Sequence, residues 1–409
     1  MKVRGTQITV LVAMCAVALT AAACSSSGTA GPASGSSSSS GATVVIGNIG
    51  AFSGALGSNE GGIPDAADVW ASSVNASGGL NGHQVRVITK DIGNETGADV
   101  SAARQLISQD HVAAIFDFDT EDSTWLPYAQ SNGVPVISFT SAGSQSSPDA
   151  FPISIAQSAF AYALPALAKT AGPKFGIVYC AEVPSCGGLA SLFQSFAKPL
   201  GLQIPVNVKV SSSAPDYTAV CQELKSSGVD SYVIIAGSAV LARIADQCHQ
   251  EGLTARLVQN GAQSLPAWTT DPAFNGLLVM DNFAPFFADD TSAQKAYRDA
   301  LAKYQPSMVN SSTDNSYSEA AWLDGQLISA AAKSITGDIT ATSLKTALYG
   351  LKGETLGGMV QPVTYQQGKA TILGCYFSWT VQNGQRVASN GDKYSCAPQT
   401  VLDNIRSGS

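Results

Sequence analysis

Histidine is scarce: His83, His111 and His249 are the only three in 409 residues. His83 falls in an expected turn, His111 just before an expected strand and His249 late in an expected helix. Each reads as a surface or satisfied structural residue more readily than as a general base. The chain has no G-x-S-x-G elbow, no H-E-x-x-H and no Walker A stretch. Gly47, Gly50 and Gly54 mark a strand-to-helix turn, but not in the G-x-G-x-x-G order of a dinucleotide site. Charged residues make up only 13% of the chain, and the net charge is -8. An acidic balance attracts neither nucleic acid nor an anionic membrane surface. Beyond Leu19 no apolar run is long enough to span a bilayer.

What is present begins with an export signal. Lys2 and Arg4 precede an apolar stretch from Ile8 to Leu19, then Ala21-Ala22-Ala23 and Cys24. This is a secretory signal, too short for a comfortable transmembrane helix. The cysteine after the small residues resembles the bacterial lipobox, in which it carries the lipid. The usual Leu three places before it is Ala21 here; ordinary cleavage near Ala23 is the alternative. Ser25 to Gly41 is almost wholly Ser, Gly, Ala, Thr and Pro, the composition of a flexible tether. Residues 1–23 are therefore expected to be a lipoprotein signal and 24–42 a tether, placing the protein outside the cytoplasm on a lipid anchor at Cys24.

Past Cys15 and Cys24, six cysteines remain: Cys180, Cys186, Cys221, Cys248, Cys375 and Cys396. An even number in an exported chain favours disulfides, and six permit fifteen pairings. We expect sequential pairing: a short loop closed by Cys180 and Cys186, neighbouring helices joined by Cys221 and Cys248, and two strands clamped by Cys375 and Cys396. No C-x-x-C spacing occurs, so no metal site is expected, and no cofactor is implied.

The roughly 365 residues after the tether exceed one ordinary core and predict two lobes. Thr43 to Ile49 is a β-branched run and reads as a buried strand. A helix follows, with Ile63, Ala66, Ala67, Trp70 and Val74 on one face and Pro64 in its first turn. Strands at Gln84–Thr89, Val112–Phe118 and Val134–Ser138 alternate with helices at 97–109 and 123–131. The alternation restarts after Phe151 and runs to a strand at Gly276–Met280 and a long helix at Ser318–Ser334. Such alternation predicts parallel sheets covered on both faces. Residues 357–387 read instead as a β-rich meander with turns at Gln367-Gly368 and Asn383-Gly384.

Ile46-Gly47-Asn48-Ile49-Gly50-Ala51-Phe52-Ser53-Gly54, then Asn75-Ala76-Ser77-Gly78-Gly79-Leu80-Asn81-Gly82, Lys90-Asp91 and Ala102-Ala103-Arg104-Gln105-Leu106-Ile107 resemble the branched-chain amino acid class of type I periplasmic binding proteins. Gly133-Val134-Pro135-Val136-Ile137-Ser138 matches the next strand of that family. The resemblance implies an α/β fold of two Rossmann-like lobes with parallel sheets joined by a multi-crossover hinge. It implies lobe 1 from residues 43–158 and 283–345, lobe 2 from 159–282, and a C-terminal segment, 346–409, returning to the hinge and lobe 2. It further implies a monomer that traps a small polar solute and delivers it to the permease subunits of an ABC importer, with no catalysis.

Carried over by position, the resemblance places Phe52, Ser53, Asp119, Thr120, Thr140, Ser141 and Ala142 of lobe 1 at the ligand. From lobe 2 it places Tyr179, Glu182, Ser185, Ser238, Ala239, Asn260 and Gln263. Two positions depart from the family. Gln263 stands where an acidic residue commonly holds the ligand ammonium, and a neutral amide is a weaker partner for a cation. Asp119 stands where a small hydroxyl residue often helps bind the carboxylate, which it would repel. These departures point to a ligand rich in hydroxyl, amide or amine groups, without a carboxylate facing lobe 1. A sensor of the same fold signalling to a membrane receptor is one alternative. The other is a carboxylate enzyme built on Asp117, Asp119, Glu121 and Asp122.

Overall fold

The computed structural model describes residues 41–407 except 55–56, 94, 96, 140–142, 183 and 391–392. The expected signal, Cys24 and residues 24–40 of the tether lie outside the described residues, as do Thr140, Ser141 and Ala142.

Lobe 1 opens with β1 (Gly41–Gly50), so Gly41 and Ala42 of the expected tether are already strand. It continues through α1 (Gly57–Glu60), α2 (Ile63–Ala76), β2 (His83–Asp91), α3 (Ala98–Ser108), β3 (Ala114–Phe118), α4 (Leu126–Ser131) and β4 (Val136–Ser138). Its sheet is parallel in the order β2-β1-β3-β4. Successive β-branched residues point to opposite faces, so both faces need cover. Ile46 and Phe116 pack beneath α2, while Ile49 and Ile115 pack with Leu106 and Trp125 on the other side.

The chain then crosses to lobe 2. There it forms α5 (Gln157–Ala168), β5 (Lys174–Cys180), α6 (Pro184–Ala197), β6 (Gln203–Val210), α7 (Thr218–Ser226), β7 (Ser231–Ile235), α8 (Ser238–Gln250), β8 (Arg256–Asn260), α9 (Ala267–Thr270) and β9 (Leu278–Asp281). A second crossing returns it to lobe 1 for α10 (Ser292–Tyr304), α11 (Ser316–Ala332) and α12 (Ala341–Gly350). Of these, α11 runs along α2 and α12 leans on α11. A small hairpin of β10 (Lys352–Glu354) and β11 (Val363–Thr364) follows. A third crossing delivers β12 (Cys375–Gln382), β13 (Gln385–Ala388), β14 (Ser395–Cys396) and α13 (Gln399–Ser407) to lobe 2.

Lobe 2 has the order β13-β12-β9-β8-β7-β5-β6. Its five older strands are parallel; β12 adds antiparallel to β9, and β13 and β14 pair antiparallel with β12. The Asn383-Gly384 turn is a two-residue hairpin in which both residues have positive φ, 51° and 73°, the backbone a type I′ turn demands. The Gln367-Gly368 turn lies in irregular chain and joins no paired strands.

The six cysteines form three disulfides in chain order: Cys180–Cys186, Cys221–Cys248 and Cys375–Cys396. The second ties α7 to α8, and the third joins paired residues of β12 and β14. Among the described residues no helix is long and apolar enough to cross a membrane, and no group of three or more His, Cys, Asp or Glu could hold a metal ion.

Candidate ligand cleft between the lobes

In a parallel sheet the chain leaves the first strand toward one side and later crosses to the other, opening a crevice at the strand C-termini. Lobe 1 has that switch between β1 and β3, and lobe 2 has it between β5 and β7. A cavity of about 620 Å³ lies between these two edges, within the usual size of small-molecule sites. Lobe 1 lines it with Glu60, Asp117, Phe118, Asp119, Thr120 and Phe139. Lobe 2 contributes Gln157 and Phe160 of α5, Ser185, Cys186, Leu189 and Leu192 of α6, Ile235 at the end of β7, and Asn260 and Ala262. Asn282, just past β9, and Tyr317, in the first turn of α11, complete it near the crossings.

The apolar wall is largely aromatic. Phe118 stacks on Phe139 with centroids 5.8 Å apart, and Phe139 meets Tyr317 at 5.1 Å. Among the described residues that line it there is no Lys, Arg or His.

The acidic run after β3 is first of all a loop scaffold. Asp117 is buried and accepts the amide of Asp119 (3.0 Å) and the hydroxyl of Ser138 (3.2 Å). Asp119 accepts the amide of Glu121 (3.0 Å) through one oxygen and the indole N–H of Trp125 (2.9 Å) through the other. Asp122 accepts the amides of Gly143 (3.1 Å) and Ser144 (2.9 Å), fixing the loop after β4. Burial, then the neighbouring Asp122, pushes Asp117 well above the usual carboxylate range. Burial likewise raises Asp119, against the bonds it accepts. Asp117, Asp119 and Asp122 are thus committed to holding the loops and the indole of Trp125, which leaves the exposed Glu121 outside that scaffold.

Glu60 is different. It ends α1, is 4% exposed, and its Oε2 has no hydrogen-bond partner. Desolvation first, and the charge of Asp119 second, push its carboxyl up to about 8. The amide oxygens of Asn260 and Asn282 are also buried without a partner. Buried polar atoms in native folds are nearly always satisfied, so three orphan acceptors on residues lining one cavity point to a ligand that supplies donors.

Of the residues expected at the ligand, Asp119, Thr120, Ser185 and Asn260 line the cavity. The others have different places. Phe52 lies behind the wall: its ring meets the edge of Phe118 at 6.5 Å, and its amide donates to Asp91 (3.0 Å). Ser53 and Tyr179 do not line it. Glu182 is exposed and accepts Ser211 and Ser212, whose hydrogen bonds draw its carboxyl down to about 2. Ser238 donates across the cleft to Asn59 Oδ1 (2.7 Å), linking the lobes instead of lining the cavity. Ala239 beside it stays off the lining. Gln263 turns its amide to the carbonyl of Ala236 (2.9 Å). Glu60, Phe139, Phe160, Asn282 and Tyr317 were not foreseen. Their signal is positional: each lies close to an element end or a crossing.

At the hinge, Asp281 at the end of β9 accepts the hydroxyl of Ser316 (2.5 Å) from α11 and the indole N–H of Trp379 (2.9 Å) from β12. Burial raises its carboxyl to about 6 despite these bonds. Gly261 runs against this knot, where any Cβ would strike the Asp281 carboxylate and the Ser316 hydroxyl.

No curated protein matches this sequence. Solved structures do match its fold. A branched chain amino acid ABC transporter protein from Thermus thermophilus, with bound valine, is 17% identical, with 90% of this chain and 99% of that one covered and a TM-score of 0.73. A substrate-binding protein of an ABC transporter from Aeropyrum pernix is 19% identical, with 89% and 98% covered and a TM-score of 0.72. A solute-binding protein from R. palustris in complex with 4-hydroxybenzoate is 20% identical, with 85% and 95% covered and a TM-score of 0.65. The family model for periplasmic binding proteins matches residues 43–386, nearly all of the two lobes. The chain belongs to the periplasmic binding protein family.

Proposed function

We propose that this protein is the extracytoplasmic solute receptor of an ABC importer, held to the membrane by a lipid on Cys24. It captures a small polar solute between its lobes and hands it to the permease. The observation that carries this reading is the 620 Å³ cavity lined from both lobes and from the chain crossings. A solute there touches both bodies at once, so it binds the closed arrangement better than an open one and shifts the population toward closure. The valine complex from Thermus thermophilus and the 4-hydroxybenzoate complex from R. palustris support solute binding on this fold. Neither cargo transfers readily. A ligand carboxylate about 4 Å from an ionised Asp119 meets about 4 kcal/mol of repulsion at an effective dielectric of 20, and no cation among the described lining residues offsets it. The solute accordingly shows no carboxylate to lobe 1.

The test is a thermal-shift screen of the full chain against amino acids, polyols, amides and amines. Positive hits are confirmed by calorimetry, and closure by small-angle scattering. Saturable binding with a decrease in radius is the expected result. Tight binding of leucine or valine would remove the argument drawn from Asp119, and failure of every class to bind would remove the receptor reading.

A further inference from the structure

We propose that the solute is an organic cation, an amine with an apolar or aromatic body and no carboxylate, and that Glu60 is its counter-ion; this rests on the solute-receptor reading above. The cavity wall supplies both halves of such a ligand. Phe118, Phe139 and Tyr317 form a continuous aromatic face, on which an alkyl or aryl body loses its hydration shell and an ammonium gains from the ring quadrupole. Among the described lining residues, Glu60 is the one carboxylate with a buried oxygen that has no hydrogen-bond partner. The carbonyl oxygens of the Asn260 and Asn282 side chains, also orphaned, add acceptors from lobe 2 and from the crossing. An ammonium has donors for such acceptors and no acceptor of its own.

The counter-charge sits in lobe 1, on a four-residue helix, and not at Gln263. This arrangement differs from a pocket that grips an α-amino acid by both ends. The groups facing Glu60 are Asp119 after β3, Tyr317 of α11, and Asp117, which lines the same cavity. None is cationic. An empty cleft therefore keeps Glu60 largely protonated at neutral pH, and a cation must displace that proton to form the pair.

This gives a sign that separates ligand classes. With the Glu60 carboxyl at about 8, a cation that requires it ionised binds about tenfold more tightly at pH 7 than at pH 6, and gains about fivefold more by pH 8. A neutral ligand accepting a hydrogen bond from protonated Glu60 weakens over the same range.

The experiment uses the full chain in detergent and sets of probes matched in shape: 2-phenylethylamine, 2-phenylethanol and 3-phenylpropionate, with the corresponding alkyl series. Calorimetry from pH 6 to 8, in buffers of different ionisation enthalpy, reads affinity and proton release together. The expected result is binding by amines alone, one proton released near neutral pH, and an affinity rising with pH. Glu60→Gln should lower amine affinity at least tenfold and flatten the profile while leaving the fold unchanged by circular dichroism. Alcohols or carboxylates binding as tightly as the amines overturn the assignment, as does amine affinity that is flat or falling with pH. If a non-cationic solute binds where no amine does, the cation assignment fails and the receptor reading stands. If nothing binds in any class, both fail.

Discussion

Replacing Gly325 by Ala should destabilise this protein, although the change places the best helix former at the middle of α11. In an exposed helix the substitution gains about 0.5–1 kcal/mol. Here a Cβ would land on the indole ring of Trp70. Trp70 is fully buried on α2, packs edge-on against Phe116 at 5.6 Å, and donates its indole N–H to Ser329 (3.1 Å), one turn along α11. The indole cannot retreat without breaking that bond, worth about 1 kcal/mol, and overpacking costs about 1–3 kcal/mol more. After subtracting the propensity gain, a net loss of about 1–3 kcal/mol remains. In a chain of this size that corresponds to a fall in melting temperature of about 1–4 °C. Urea unfolding followed by circular dichroism measures it. Gly350→Ala is the control, because nothing lies within 4 Å of a Cβ there, and it should be neutral or slightly stabilising. Trp70→Leu in the Gly325→Ala background should recover part of the loss, since the two positions share one volume. A Gly325→Ala protein as stable as the parent would refute the close-packing argument for α2 and α11.

The ligand-free protein carries a pH signature of its own. An acid whose folded pKa is raised holds its proton more tightly in the folded chain, so it destabilises progressively as pH climbs from about 4.5 toward about 8. Glu60→Gln should thus gain about 3 kcal/mol relative to the parent between pH 5 and pH 8; urea midpoints at three pH values read this, and a pH-independent difference would contradict the burial of Glu60. The paired change Cys221→Ser with Cys248→Ser opens a cross-link spanning 27 residues. By loop entropy it should cost about 3.5 kcal/mol, and unchanged melting under both oxidising and reducing conditions would rule that out.

The alternation of strands and helices up to β9 was legible because β-branched runs bounded by glycines specify buried parallel strands with little help from context. The helices α10 and α12 were harder. The stretch 292–304 buries only Gln294, Tyr297, Ala300 and Leu301 among many charged residues, so its apolar stripe is thin. Both helices open with a capping box, Thr291 with Gln294 and Thr340 with Ser343, and that local signal could have found them. Asp119 was legible as a cleft residue but not as a tether for Trp125, because a hydrogen-bond partner is a property of the folded loop. Glu60 was not legible at all. Ser-Asn-Glu-Gly-Gly reads as a solvated turn. Its burial comes from distant chain: Ser238 reaches Asn59 across 179 residues and Asn315 reaches it across 256.

The same long-range folding places the cavity beside the hinge. Asn282 lines the cavity and follows Asp281; Tyr317 lines it and follows Ser316. Asp281 and Ser316 are bonded to each other, and Asp281 also holds Trp379 of the third crossing's strand. One carboxylate thus joins the helix that returns to lobe 1 with the strands that end in lobe 2. A ligand pressing on Asn282 and Tyr317 acts one residue away from that knot on each side. A Cβ at Gly261 would strike both partners of the Asp281–Ser316 bond, so the knot is packed without slack. The cavity wall and the junction between the crossings thus share adjacent residues, and a packed junction of this kind favours rearrangement between discrete packings over continuous bending.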